Sequence, residues 1–451
     1  MRARNGEIFV PQASAAEWGI FMKTISRRNW ILIWTLGMAG QICWNIENSW
    51  FNNFVYDKIA PDPSIVSWMV GVSAAVSTFC TFLIGTSGDR RGRRRYFIGI
   101  GYILWGIFTF FFGMTELLPK SPLLLAATAV VLADAVMSFF GSMGNDGGFN
   151  PWTTDISNEH NRGKLGGALA VMPVLATIFG AVVSGIIIDA IDFFAFFAIM
   201  GGMVAVMGVF ALIFLKDSPT LQAKKDPKGF WHQFFSVFRW KTVTGNKELF
   251  WVFIVMLVYF IGFNVYFPYI TIYFVNYLGM DYTMTGLVQG VGLLAAAVFT
   301  IPAARFIDRG KTPQVIGAAL ACNTVGLLIV TISQQMVILL IGVFGAGIGY
   351  ILTLQSLTAW MKNLYPEQQR GQFEGIKQIF FVCIPMIIGP AIATFVINRW
   401  GLPAVVNDAP GMVPTPSLFL VSAGLTLLTV IPLAVAGRHL TRRMKADGSG
   451  R

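Results

Sequence analysis

Charge is scarce in this sequence: Asp, Glu, Lys and Arg make up 12% of its 451 residues, against about 25% in a typical soluble domain. Hydrophobic residues make up 55%, and the mean hydropathy is +0.64. That deficit excludes a soluble globular enzyme and makes lipid the solvent for most of the chain. Histidine is nearly absent, and His160, His232 and His439 all fall in loops or tails, so no histidine relay runs through the apolar segments. Cys43, Cys80, Cys322 and Cys383 stand inside apolar runs at unrelated spacings. They read as small packing residues rather than a disulfide set or a metal site. The sequence has no His-Glu-x-x-His, no Gly-x-Ser-x-Gly and no nucleotide loop, so no enzyme and no cofactor are expected. No cleavable signal peptide is visible; the first 28 residues are mixed and end in Arg27-Arg28.

What remains is long, continuous apolar runs. A spanning helix needs about 20 largely apolar residues, since only a helix or a closed barrel satisfies its backbone without water. The runs do not alternate, which excludes a barrel. Spans are predicted at 30–54, 64–86, 96–114, 122–146, 164–188, 193–215, 249–276, 284–306, 312–333, 336–361, 374–398 and 416–437. The expected fold is an all-α membrane protein, twelve transmembrane helices in two pseudo-symmetric six-helix halves. Its divisions are an N-terminal segment (1–28), a first half (29–215), a central loop with an amphipathic helix (216–248), a second half (249–437) and a tail (438–451).

The net charge of +11 is placed at one set of helix ends: of the 33 lysines and arginines, all but Lys58, Lys120 and Arg399 lie there. Retention of positive charge in the cytoplasm puts both termini and the central loop on that side of the cell (inner) membrane. The same placement points to a bilayer partner and away from nucleic acid. Within the central loop Phe230, Trp231, Phe234, Phe235 and Phe238 recur at helical spacing, opposite His232, Gln233, Ser236 and Arg239. That suits a short helix in the headgroup layer or on the protein's cytoplasmic face.

The halves echo each other. The loop after the second span reads Gly85-Thr-Ser-Gly-Asp89-Arg90-Arg91-Gly92-Arg93-Arg94-Arg95, and the loop after the eighth contains Asp308-Arg309-Gly310-Lys311. Glu159-His-Asn-Arg162-Gly163 likewise returns as Glu367-Gln-Gln-Arg370-Gly371. Motif, repeat and helix count together resemble the major facilitator superfamily over the whole chain. The resemblance implies alternating access by a monomer, with the solute between the halves near the midplane. It makes Gly85, Asp89, Arg90, Gly92, Arg93, Arg94, Glu159, Arg162, Asp308, Arg309, Glu367 and Arg370 a conformational latch. Asp89 would sit at the start of the eleventh helix when the other side is open, where a helix N-terminus and forked arginines stabilise a carboxylate. The second copy lacks the leading glycine and the arginine run, so loss of Asp89 is expected to impair switching more than loss of Asp308.

Polar residues inside spans are costly and form the functional shortlist. In the first span Gln41, Asn45, Asn48 and Asn52 fall at i, i+4, i+7 and i+11 on one face; in the fourth, Asp134, Ser138, Gly141 and Asn145 repeat the spacing. Both stripes are expected to face substrate, with polar contact between helices as the plainer alternative. Trp44 suits a sugar, which stacks on an aromatic face while its hydroxyls bond to amides and carboxylates. Asn264, Tyr266, Tyr350, Gln355 and Gln378 are the second-half candidates. Asp134, Asp146 and Glu47 are the coupling acids, carrying a proton or a monovalent cation. Glu374 and Lys377 read as a structural ion pair.

Trp44-Asn45-Ile46-Glu47-Asn48 through Tyr56-Asp57, and Asn145-Asp146-Gly-Gly-Phe149-Asn150-Pro151-Trp152, are similar to the glycoside–pentoside–hexuronide cation symporters. That implies Asp146 at a cation site. The run from Ser64 to Gly88 has no acid, whereas sodium-coupled members carry two there, so proton coupling is favoured. The expected cargo is a small polar solute, a sugar or glycoside. Alternatives are a drug or lysolipid carrier and a nutrient sensor that binds without moving its ligand. Against drug export, the fifth span reads Ala170-Val-Met-Pro173 through Gly180 without a Gly-Pro pair, which occurs instead as Gly389-Pro390.

Overall fold

The computed structural model describes residues 25–158, 161–219, 221–223, 226–236, 245–332, 334–365, 370–406 and 409–446. It has the expected twelve helical rods in two halves. In the first half, α1 joins Arg27–Ile46, Glu47–Phe51, Asn52–Phe54 and Val55–Ile59; α2 is Pro63–Arg91 and α3 is Arg95–Met114. Helix α4 joins Leu123–Gly144, Asn145–Phe149 and Asn150–Asp155. Helix α5 begins at Arg162–Thr177, continues through Ile178–Val183 and enters Ser184–Phe214, where a kink at Asp192 starts α6. In the second half, α7 runs from Lys247–Tyr266 to Tyr273–Tyr277 and α8 comprises Tyr282–Val298 and Thr300–Asp308. Then come α9 (Thr312–Ile332), α10 (Met336–Leu364), α11 (Arg370–Gln378, Ile379–Cys383 and Ile384–Trp400) and α12 (Ser417–Leu428 and Val430–Ala446).

Among the described residues, nine helical stretches are long and apolar enough to cross a membrane unaided. The count falls below twelve for physical reasons: α5 and α6 run on as one stretch through the kink, α8 has only a short apolar segment, and α1 is diluted by amides and Glu47. Several rods outrun their apolar runs, α2 to Arg91 and α12 to Ala446 among them. Helix α1 extends to Ile59 and α4 to Asp155, each by way of a widened π-turn, at Glu47–Phe51 and Asn145–Phe149. A hairpin that hydropathy does not announce, β1 (Leu402–Val406) with β2 (Ala409–Val413), joins α11 to α12.

Helix ends follow local chemistry. Asp62 caps α2 by accepting from the Ser64 N–H at 2.8 Å, with Pro63 at the first helical position. Asn246 caps α7, and Asp281 caps α8 through the Met284 N–H. Gly92 ends α2 in the left-handed region (φ 63°), its N–H bonded to Gly88 O. Asp192 takes the same sign of φ without being glycine, and its carboxylate is held by Lys58 at 2.7 Å.

Within each half the helices pack on small residues. Gly101 and Gly144 bring α3 against α4, and Gly326, Gly342 and Gly349 bring α9 against α10. Phe51, Phe54, Phe112, Phe193 and Phe197 fill the arginine-poor end of the first half with stacked and edge-on rings. Near the end of α4, Trp152 donates to Lys216 O at 3.0 Å, and Trp360 on α10 donates to Glu248 at 2.8 Å.

The halves meet along α2 with α11 and α5 with α8. Gly185 and Gly286 let the α5 and α8 backbones touch: a Cβ at either would strike a carbonyl, Tyr282 O or Ala181 O. At the arginine-poor end hydrogen bonds cross between halves. Thr271 donates to Ser49 O (3.2 Å), Tyr269 to Pro63 O (2.8 Å), and Asn276 and Tyr282 to Asp57 (2.9 and 2.7 Å). Asp189 accepts from the Thr283 N–H at 2.7 Å. The hairpin adds Tyr56 to Met412 O and Met412 N–H to Pro61 O. That end of the molecule is closed.

Candidate functional site

Helices α1, α2 and α4 bring one acid and two hydroxyls together inside the first half. Glu47 Oε1 accepts from Ser138 Oγ at 2.8 Å and from Ser73 Oγ at 3.1 Å, and the two hydroxyls are 2.6 Å apart. Ser73 and Ser138 are buried and Asp134 is 1% exposed. Asp134 lies one helical turn before Ser138 on the same helix. Helix α2 carries no acid here, so its contribution to this cluster is a hydroxyl, a residue the sequence reading missed. The available signal was Ser73 and Ser77 at i and i+4 on an otherwise apolar span.

A π-turn at Glu47–Phe51 interrupts α1, so residues on either side no longer share the face a regular helix would give them. Glu47, off the amide stripe even on a regular helix, points to α2 and α4, while Asn45 lies along α5 and Asn48 and Asn52 bond within α1. Asn45 donates to Thr177 at 3.4 Å and lies against Gly180. Asn48 bonds back to Trp44 O, and Asn52, buried, to Asn48 O. Gln41 is half-buried, as is Trp44, which packs on Trp105 with centroids 5.0 Å apart.

The α4 stripe divides in the same way. Ser138 bonds Glu47, whereas Gly141 packs on the Trp105 ring and Asn145 on Tyr102 and Gly40. Asp146 forms a separate polar group with Ser142 at 3.2 Å, and with Asn145 and Asn150 at 3.4 Å. In the second half Asn264 donates to Phe260 O and abuts Gly389 of α11, and Tyr266 leans on Phe419. Tyr350, half-buried, stacks on Phe263 at 4.5 Å, with Phe260 and Phe381 beside it. Gln355 and Gln378 are half-buried.

At the basic end, Arg94 is the keystone of its half. It is 4% exposed and binds Asp155 at 2.5 Å and Asp89 at 2.6 Å, while Asp217 accepts from its backbone N–H. Gly88 makes room for its guanidinium. Gly85 has open space around it. Arg90 bonds Gln233 at 3.1 Å and covers the Phe230 ring, and Phe234 packs on Phe79. The central-loop helix (Phe230–Ser236) thus docks one edge on α2 while Trp231 and Phe235 face outward; Phe238 and Arg239 lie outside the described residues. Arg93 and Arg309 are exposed. Glu159 and Glu367 lie outside the described residues, as do the side chains of Arg162, Asp308, Arg370 and Glu374. Truncating Arg94→Ala strands two carboxylates beside the helix ends. A loss of about 3 kcal/mol is expected, read as a lowered melting temperature of the purified protein, with Asp89→Asn costing less because Asp89 is the more exposed partner.

Comparison with known proteins follows this geometry. A sequence family described as Major Facilitator Superfamily matches residues 30–355 and 252–449. No curated protein matches the chain by sequence. Among solved structures the chain is similar to a mutant of the nucleoside transporter NupG (TM-score 0.71, 12% identity, covering 90% of this chain and 99% of that one). It is similar to a D-xylose–proton symporter (0.67, 14%, 90% and 97%). It is also similar to a bacterial homologue of the human lysosomal transporter Spinster, inward-facing and unoccupied (0.66, 14%, 92% and 97%). At these identities the likeness speaks to the fold.

Proposed function

Because the chain belongs to the major facilitator superfamily of transporters, we propose that it moves a small polar solute, a sugar or glycoside, by alternating access coupled to a proton. The observation that carries this reading is Glu47, bonded by Ser73 and by Ser138, which lies one helical turn from the buried Asp134. Two acids buried together are costly in a membrane unless they carry protons or bind a cation. Amides on α1 and the Trp44 face supply the groups a sugar requires. Both termini lie in the cytoplasm, by the distribution of Lys and Arg, so the closed arginine-poor end faces outward and the solute path opens inward. The protein acts as a monomer, each half serving as one rocking body.

Uptake into proteoliposomes, driven separately by a pH gradient and a sodium gradient, tests the coupling. Counterflow across a broad panel of labelled glycosides tests the cargo. No flux of any glycoside would sink the sugar assignment. If Asp134→Asn and Asp146→Asn both keep full gradient-driven accumulation, the coupling acids lie elsewhere. A second reading, transport of an amphiphile such as a lysolipid, draws on the aromatic wall of Phe260, Phe263, Tyr350 and Phe381 in the second half. Counterflow of a labelled lysophospholipid decides between them.

A further inference from the structure

Beyond its last apolar run, α12 continues into a basic stripe at the arginine-rich end. Arg438, Arg442 and Lys445 fall at i, i+4 and i+7, so they share one face of the helix. That face borders a recess of about 440 Å³ between α12 and the start of α9, within the roughly 300–1,000 Å³ of pockets that hold small molecules. Ala434, Gly437 and Pro313 line it with little bulk, and Gln314 adds an amide. Among the described residues no acid lines the recess, and none forms an ion pair with the three cations. The adjacent Arg443 differs: it turns to α7 and binds Glu248 at 3.1 Å. Met444 packs over Gly310 in the turn before α9. The last turns of α12 are therefore held in place while the basic stripe keeps its charge free.

Toward the membrane centre both walls become apolar. Ala434 and Ile431 continue the α12 stripe, and Ile431 is 64% exposed. Gln314 heads a parallel stripe on α9 that runs through Ala318 and Ala321 to Val325 and Leu328, all exposed. Orientation of the helix requires positive charge at this end, but not its collection on one face over a recess that holds no acid. We propose that the recess binds the phosphate headgroup of an anionic phospholipid from the leaflet at the arginine-rich end, with its acyl chains along the two apolar stripes. Forked arginines match phosphate oxygens, and a basic pocket between spanning helices selects an anionic headgroup over a zwitterionic one. The site lies on the exposed face of the second half and stands whatever solute is carried.

Native mass spectrometry of the purified full-length protein tests this, with dioleoyl phosphatidylglycerol and dioleoyl phosphatidylcholine as the probes. The wild type should retain one phosphatidylglycerol in preference to phosphatidylcholine. Arg438→Gln/Arg442→Gln/Lys445→Gln should weaken that retention on the order of a hundredfold, at about fivefold for each basic residue. Ala434→Phe fills the recess without removing a charge and should weaken it as well. Arg27→Gln/Arg28→Gln/Lys247→Gln removes as many charges from the same end and should leave it unchanged. Variants are compared only where they melt with the wild type, and either recess variant alone decides. Retention equal to the wild type in a recess variant overturns the proposal. An equal loss in the distant triple variant does so too, since net charge would then be the cause. Phosphatidylcholine held as tightly as phosphatidylglycerol also overturns it. So does displacement of the lipid by inorganic phosphate at matching concentration, which would make this a site for a free anion.

Discussion

Glu47→Gln should cut pH-gradient-driven accumulation roughly a hundredfold, at the lower end of what a proton-transferring group contributes, while solute counterflow at fixed pH persists. The amide keeps the size of the side chain and still offers an oxygen to Ser138 and Ser73, so the packing of α1 on α2 and α4 is preserved. What it loses is exchange of a proton, and with it the link between the gradient and the position of the rods. Asp134→Asn should behave alike. On the proposed coupling role of both acids, the double variant should be scarcely worse than either single one, the non-additivity expected of residues that work as a unit. Proteoliposome uptake with and without an imposed pH gradient measures both quantities in one preparation. Equal loss of counterflow and accumulation would make Glu47 a solute ligand or a structural group instead.

Asp57→Ala should unlock the arginine-poor end. The carboxylate takes hydrogen bonds from Asn276 on α7 and Tyr282 on α8, each worth about 1.5–3 kcal/mol when the acceptor is charged. Removing both leaves buried donors unmatched only while the halves stay shut, so the change falls on the closed state. Allowing for water that re-solvates the opened groups, the ratio of open to closed should rise on the order of ten- to a hundredfold. A cysteine placed at Ser49 in a background lacking the native four should then react faster with a membrane-impermeant thiol reagent added outside. An unchanged rate would mean that the remaining crossings, Thr271, Tyr269 and the hairpin, hold the end closed on their own.

Much of the architecture was legible because lipid imposes one rule on every span, and long apolar runs obey it. The ion pair of Asp89 with Arg94 falls within a loop motif that stood out for another reason: a motif that recurs half a chain later has few explanations. The inward faces were harder. Gln41, Asn45, Asn48 and Asn52 share one side only if α1 is regular, and a π-turn at Glu47–Phe51 interrupts it. No periodicity argument locates such a turn. The hairpin of Leu402–Val406 with Ala409–Val413 was hidden for a similar reason. Its strands are short, rich in proline, and held in part by the Pro61 carbonyl.

Three of the bonds that shut the arginine-poor end share one asymmetry with a consequence for evolution. Ser49, Pro63 and Met412 contribute main-chain carbonyls, while their partners Thr271, Tyr269 and Tyr56 contribute hydroxyls. A main-chain oxygen survives almost any replacement of its residue; a hydroxyl does not. Half of each of these three crossings is therefore free to drift, and selection on them is concentrated at the donors. Sequences diverging from this one should lose Met412 and Ser49 early and keep a hydroxyl at 271, 269 and 56.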